Sequence, residues 1–174
     1  DLVIVPDLKQ IAPARLAYKF DIYAANPLYR AEVYIDAQTG QFIKENDKLC
    51  SADVSASGTS LYNGTVSFKA DSYNGYYRLR QSANGIQTFD MNGSTNYNNA
   101  QEVTSSNTSF NNATAVQAHW GAENTHQYFL GTHGRDSYNG SGATIKSYVS
   151  YDNNYVNAFW DGSRMTYGDG NGTN

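Results

Sequence analysis

Glycine is distributed unevenly along this chain, and that distribution limits the fold more than any other sequence feature. Fourteen of the 15 glycines follow Cys50, whereas all three prolines precede it. The first part carries 13 charged residues, and the longer second part carries only 15 and is rich in Asn, Ser, Thr and Tyr. Frequent Gly and Asn turns leave room only for short strands. We therefore expect two parts of different character, joined by a polar segment over residues 45–53.

Alternating apolar and polar residues predict a sheet in the first part. The alternation has period two over residues 14–23 and again over 31–36. A turn is expected at 37–40, and a return strand begins at Gln41. Such a pattern is typical of antiparallel strands with one solvated face.

The second part is predicted to be mostly sheet, with one main helix. The helix is expected at about Thr114–Leu130, where alanines are frequent and Gly131 can act as a stop signal. Residues 91–112 are loop-like, and residues 167–172 read as a glycine turn. Strands are predicted at residues 64–69, 76–81, 85–90, 143–151 and 157–160. The predicted fold class is therefore α+β, antiparallel and β-rich.

Composition excludes several classes of protein. The net charge is −4 and no basic run occurs, which disfavours nucleic-acid binding. No stretch of about 18 apolar residues is present, so no membrane-spanning segment is expected. Because Cys50 is the only cysteine, neither an internal disulfide nor a cysteine-rich zinc site can form. No nucleotide-binding glycine loop or serine elbow is found.

The three histidines do not have the spacing of a metal site. His119, His126 and His133 are seven residues apart, which corresponds to about 10.5 Å along a helix. Zinc needs its nitrogen ligands within about 2.1 Å, and a helix supplies two of them at positions i and i+4. We therefore interpret these histidines as packing and hydrogen-bonding residues.

One segment near the C-terminal end suggests a surface for an extended peptide. Residues 155–162 combine large aromatic side chains with Asn157, whose amide can donate and accept hydrogen bonds. An exposed edge strand of this kind could bind peptide by strand addition. The alternative is an ordinary strand in which Phe159 and Trp160 fill the core, and the residues alone leave both interpretations open.

The same segment carries a resemblance to a known family. The sequence YVNAFWDGSRMTYGDG at 155–170 resembles a signature of the thermolysin-like (vibriolysin/bacillolysin-type) secreted zinc metallopeptidases. Similar motifs occur in the same order upstream, namely DSYNGYYRL at 71–79, AVQAHWGAE at 115–123, HGRDSYNG at 133–140 and ATIKSYV at 143–149. LAYKF at 16–20 and DAQTG at 36–40 resemble the end of the family's PepSY-type propeptide.

The resemblance implies a domain organisation. Residues 1–48 correspond to the end of the propeptide, 49–57 to a linker where maturation cuts, and 58–174 to the β-rich N-terminal part of an incomplete catalytic domain. It also implies a secreted zinc metalloendopeptidase precursor, whose signal peptide is already absent.

The resemblance further implies a substrate-binding site. Asn157 matches the residue whose amide bonds the substrate main chain, and Ala158 matches the residue whose carbonyl accepts a bond near the scissile peptide. Phe159 and Trp160 match aromatic residues that line nearby subsites. The implied partners are a peptide or protein substrate, the remainder of the catalytic domain in cis, and a contact between propeptide and catalytic domain.

The metal ligands of the family have no counterpart in this sequence. In the family, the His-Glu-x-x-His helix that binds zinc follows the Gly-Asp-Gly turn, and the sequence to Asn174 contains no such motif. No catalytic residue or zinc ligand can be transferred, so the 174-residue chain alone is expected to be inactive. Calcium is possible, but Ser105–Asn107 carries Ser and Asn where many relatives have carboxylates.

Two other functions are compatible with the sequence. The chain could be a catalytically inactive, propeptide-like binding or chaperone module for a peptidase. The Tyr, Asn and Gly composition alone also suggests a β-rich adhesion or carbohydrate-binding module.

Overall fold

A computed structural model describes residues 1–5, 14–25, 28–47 and 53–172 of the chain. The chain forms two compact units, one within residues 1–50 and one within residues 51–174. Cys50 and residues 49–52 of the predicted linker lie outside the described residues.

The first unit is a four-stranded antiparallel sheet. Its strands are β1 (Leu2–Val5), β2 (Arg15–Ala25), β3 (Leu28–Asp36) and β4 (Phe42–Asp47), and they lie in that order across the sheet. The turn between β3 and β4 forms where it is predicted, because the Asp36 carboxylate accepts hydrogen bonds from the backbone N–H groups of Gln38 and Thr39, both at 2.9 Å. Strand β1 is not predicted by the sequence pattern.

One face of this sheet is apolar and exposed. Leu16, Tyr18, Phe20 and Ile22 alternate along β2 and are each 42–49% exposed. On β1, Leu2 and Ile4 lie opposite Tyr18 and Leu16, so they extend the same face. The first unit therefore presents a continuous apolar surface among its described residues.

The second unit holds one α-helix, α1 (Ala113–His133), and a short 3₁₀ turn (Tyr97–Asn99) among its described residues. Its strands are β5 (Asp53–Thr59), β6 (Thr65–Tyr73), β7 (Tyr76–Arg78), β8 (Arg80–Gln81), β9 (Ile86–Asp90), β10 (Gln101–Glu102), β11 (Thr104–Ser105), β12 (Ser109–Phe110), β13 (Ile145–Tyr151), β14 (Ala158–Trp160) and β15 (Met165–Gly168).

These strands form two sheets. One has the order β11-β7-β6-β5-β12, and the other has the order β10-β9-β13-β15-β14, with β8 also paired to β9. The α+β class is confirmed, and the pairing is mixed because β13 runs parallel to both β9 and β15. A parallel pair needs a long crossover, and helix α1 lies in the connection between β9 and β13.

The helix ends three residues later than predicted. The Asn112 side chain caps its start by accepting a hydrogen bond from Ala115 N–H at 3.0 Å. Gly131 lies inside the helix, and Gly134 ends it in the left-handed conformation, with φ of +63°. The prediction of a stop at Gly131 is therefore wrong, because a glycine ends a helix where it adopts that conformation, not merely where it occurs.

Several strand boundaries also differ from the prediction. The strand predicted at residues 76–81 divides at Leu79 into β7 and β8, which belong to different sheets. Residues 53–57 of the predicted linker belong to β5, where Ala56 is buried against the core. Within the loop-like stretch 91–112, three two-residue strands form. Strand β15 occupies the start of the predicted glycine turn.

Helix α1 packs one face against both sheets of the second unit. Val116 on the helix joins a buried apolar cluster with Phe68, Leu79, Phe110 and Val149. This arrangement leaves the C-terminal half of the helix more exposed, with Tyr128, Phe129 and Leu130 at its surface. In the described part of the chain, no helix combines the length and apolar character needed to cross a membrane.

Candidate functional site

Strand β14 forms one margin of its sheet. It pairs antiparallel with β15, and no described strand pairs with its other side. The four residues predicted to bind peptide lie here: Asn157 and Ala158 are exposed, Trp160 is 45% exposed, and Phe159 is half-buried. These residues are therefore not sealed inside the core.

The hydrogen-bonding pattern shows which backbone groups face outward. Gly168 N–H donates to Asn157 C=O at 2.9 Å, and Asp161 N–H donates to Arg164 C=O at 3.3 Å. In an antiparallel ladder, alternate residues point their backbone groups to the same side. The backbone groups of Ala158 and Trp160 therefore point away from β15, toward the open margin.

The Asn157 side chain lies at the start of this margin. Its Oδ1 accepts a hydrogen bond from Ala158 N–H at 2.8 Å. This contact occupies the one outward N–H group of Ala158 and orients the amide. The Asn157 Nδ2 group and the Ala158 carbonyl lie on the exposed side, where no described residue bonds them.

A tight turn fixes the hairpin between β14 and β15. Asp161 Oδ1 accepts hydrogen bonds from the N–H groups of Ser163 and Arg164, both at 2.9 Å. These bonds, first that from Ser163, hold the pKa of Asp161 below its usual value. Arg164 pairs with Asp161 at 2.9 Å and lies over the Tyr97 ring at 4.2 Å. The hairpin is thus anchored to the body of the unit.

The two faces of β14 have different surroundings. The Phe159 ring packs edge-to-face against Tyr151 and Tyr155, at centroid distances of 5.8 and 6.4 Å. On the other face, the Trp160 ring contacts Tyr138 edge-to-face at 4.8 Å. Each face of the strand therefore offers an aromatic surface.

A wide groove lies beside the Trp160 face. Its volume is about 770 Å³, and its walls are helix α1 and the facing residues of β13 and β15. Ala118, Ala122 and Phe129 contribute the helix side, and Val149 and Met165 contribute the sheet side. The groove is mainly apolar and joins the margin formed by β14. The sequence pattern gave no signal for it, because its walls come from segments far apart in the chain.

The histidines occupy structural positions. His119 is fully buried: its Nε2–H donates to Lys69 C=O, and its Nδ1 accepts from the Thr88 hydroxyl, both at 2.9 Å. Burial lowers the pKa of His119 to about 4, which keeps the ring neutral. His126 Nε2 lies 3.0 Å from Asp136 Oδ1.

Zinc does not fit the residues that the structure describes. Both ring nitrogens of His119 are occupied, and His126 is held by Asp136. Among the described residues, no three His, Cys, Asp or Glu side chains are grouped to hold a metal ion.

The segment considered for calcium is Ser105–Asn107. There, Ser105 donates to Ser109 C=O at 2.7 Å, and Asn107 Oδ1 accepts from Ser109 N–H at 2.8 Å. Those side chains serve a local turn.

Comparison with known proteins gives consistent matches. The family model of the thermolysin metallopeptidase catalytic domain matches residues 55–174 of this chain. A bacillolysin from Brevibacillus brevis is 36% identical over 161 residues, which cover 91% of this chain and 30% of the relative. A thermolysin from Alicyclobacillus acidocaldarius subsp. acidocaldarius is 34% identical over an alignment of 189 positions, which includes 98% of this chain and 34% of the relative.

A solved precursor of protealysin, a metalloproteinase from Serratia proteamaculans, aligns with 50% of this chain and 27% of its own length, at 28% identity and a TM-score of 0.44. This chain spans about a third of the length of the curated relatives that it matches.

Proposed function

This chain belongs to the thermolysin metallopeptidase family, and we propose that it supplies the substrate-positioning part of a zinc-dependent metalloendopeptidase. The observation that carries the proposal is the open margin of β14, with outward backbone groups at Ala158 and Trp160. Peptide-bond hydrolysis is proposed for the protein in which this unit is completed by the rest of a catalytic domain.

The margin suits an extended peptide that adds as an antiparallel strand. The Ala158 carbonyl would accept a hydrogen bond from a peptide N–H, and the Trp160 N–H would donate to a peptide carbonyl. The Asn157 amide would bond the peptide main chain beside them. Phe159 and Trp160 would contact side chains on opposite faces. Holding the peptide in one register is a positioning contribution to catalysis.

The zinc chemistry is assigned to residues beyond those described. The family implies a zinc ion that activates water and polarises the scissile carbonyl, and here His119 and His126 make other hydrogen bonds. We propose that the remainder of the catalytic domain carries the ligands and covers the apolar groove beside Trp160. Calcium binding at Ser105–Asn107 is not part of the proposal.

The first unit is proposed to be the end of a PepSY-type propeptide, with maturation in the segment between β4 and β5. Two observations support this assignment: the family model begins at residue 55, and residues 1–50 form a separate unit. We further propose that the protein is secreted. The apolar face of the first unit, centred on Tyr18 and Phe20, also keeps a second candidate open, a binding or chaperone module for a peptidase.

Replacement of Asn157 tests the proposed function. In the full-length protein, Asn157→Ala is expected to lower kcat/KM for a blocked peptide about tenfold, because one hydrogen bond to the substrate is lost. Asn111→Ala is the matched control, since Asn111 is an exposed asparagine in the loop between β12 and helix α1. A wild-type protein that neither binds nor cleaves peptides would refute the proposal. Inhibition of a mature peptidase by the 174-residue chain would favour the second candidate.

A further inference from the structure

Gly168 lies unusually close to the backbone that precedes β14. A Cβ atom at this position would be 2.0 Å from the carbonyl oxygen of Tyr155 and 2.8 Å from that of Asn157. Real Cβ atoms essentially never come within 3.0 Å of another heavy atom, so any side chain here would push the Tyr155 carbonyl about 1 Å away.

Conformational freedom does not explain this glycine. Its φ lies outside the left-handed region, so other residues could adopt the same backbone. What position 168 requires is the absence of a side chain, because segment 155–157 crosses directly over it. The crossing is fixed by two hydrogen bonds, from Gly168 N–H to Asn157 C=O at 2.9 Å and from Gly170 N–H to Tyr155 C=O at 3.0 Å.

We propose that Gly168 is a positioning residue for peptide binding, an inference that rests on the proposed function of β14. The close approach fixes how far Asn157 stands from β15, and therefore how far its amide reaches over the open margin. It also holds the Tyr155 ring against Phe159, at 6.4 Å between centroids. Gly168 touches no substrate and acts through Asn157 and Tyr155.

The test compares Gly168→Ala with Gly131→Ala in the full-length protein. Gly131 is a helical glycine with no atom within 4 Å of an added Cβ, so it receives the same methyl group in open space. The readouts are KM and kcat for a blocked hexapeptide of alanine and leucine, and the affinity of the zinc-free protein for that peptide. We expect Gly168→Ala to raise KM and the dissociation constant about tenfold, with a smaller change in kcat. Gly131→Ala should match the wild type.

A purely structural role for Gly168 would lower the melting temperature and leave KM within twofold of the control at a temperature where both variants are folded. That result overturns the inference. A double variant with Asn157→Ala provides a second criterion: if Gly168 acts through Asn157, its effect on KM largely disappears in that background. Full additivity of the two changes would also count against the inference.

If Gly168→Ala does not fold, Gly170→Ala decides the question. Gly170 has φ of +76° and open space around its Cβ position, so alanine there strains the bond to the Tyr155 carbonyl without filling the crossing. A rise in KM of about threefold or more is expected, and an unchanged KM refutes the inference. Failure of the wild-type protein to bind or cleave the peptide refutes the proposed function instead.

Discussion

Glu123 provides a sharp test of how helix α1 is attached to the sheet. Its carboxyl group is buried and accepts a hydrogen bond from Lys69 N–H at 2.8 Å, while His119 on the same helix donates to Lys69 C=O at 2.9 Å. Two helix side chains thus bind both backbone polar groups of one residue, Lys69. Burial raises the pKa of Glu123 from 4.5 to about 7.

The raised pKa determines the sign of the pH effect. The folded state binds the proton of Glu123 more tightly than the unfolded state, so this group destabilises the fold as pH rises from about 4.5 to 7. A tenfold change in proton affinity corresponds to about 1.4 kcal/mol. The shift of the Glu123 pKa from 4.5 to about 7 therefore lowers the free energy of unfolding by about 3 kcal/mol above pH 7. His119, whose pKa falls from 6.5 to about 4, contributes the opposite slope between those two values. The two slopes nearly cancel between pH 4.5 and 6.5.

Glu123→Gln removes the contribution of Glu123 to the pH dependence of stability and keeps an acceptor for Lys69 N–H. The variant is expected to be about 3 kcal/mol more stable than the wild type at pH 8, and close to it at pH 4. Its stability should rise between pH 4 and 6.5, because of these two groups only His119 still titrates. Urea unfolding followed by tryptophan fluorescence measures both effects.

Asp169→Asn is the control, because Asp169 is exposed. Its effect is expected to stay within about 0.5 kcal/mol at every pH. If Glu123→Gln differs from the wild type by the same amount at pH 4 and pH 8, the argument from burial is wrong.

Two further substitutions test packing and capping. Gly58→Ala is expected to lower the free energy of unfolding by about 1–3 kcal/mol, because its Cβ would lie 2.7 Å from both the Phe110 carbonyl and a Val116 methyl group. Urea unfolding measures this change. A neutral result would mean that strand β5 shifts freely to accommodate the methyl group. Asn112→Ala should lower the free energy of unfolding by about 1 kcal/mol through loss of the helix cap, whereas Asn112→Ser should keep most of that stability. Equal losses for the two variants in thermal unfolding would contradict the capping role.

The sequence predicts elements best where one local signal decides the outcome. The alanine-rich pattern locates helix α1, and the turn at residues 37–40 forms through Asp36. The helix end is mispredicted because either Gly131 or Gly134 could end the helix as far as the sequence shows. Only the folded backbone shows that Gly134 adopts the left-handed conformation. Strand β5 is missed because its sequence, DVSASGT, has small polar residues that are ordered by pairing with β6.

For the candidate site, too, the sequence predicts the features that a local motif carries and misses those that depend on tertiary contacts. The motif at 155–170 locates the strand and identifies the family, and the match over residues 55–174 confirms that identification. The domain limits and the roles of Asn157, Ala158, Phe159 and Trp160 remain predictions. The groove, the Tyr138 contact and the crossing at Gly168 depend on tertiary approach between distant segments, which no local pattern in one sequence encodes.

The parallel pairing of β13 has a consequence for how the second unit acquires its structure. Ile145 lies opposite Ile86, so this contact closes a chain segment of about 60 residues, and the β14–β15 hairpin joins the sheet through the pairing of β15 with β13. Closing such a long segment is entropically demanding and makes folding slow. The hairpin that would receive a peptide is therefore expected to join the sheet only after this closure.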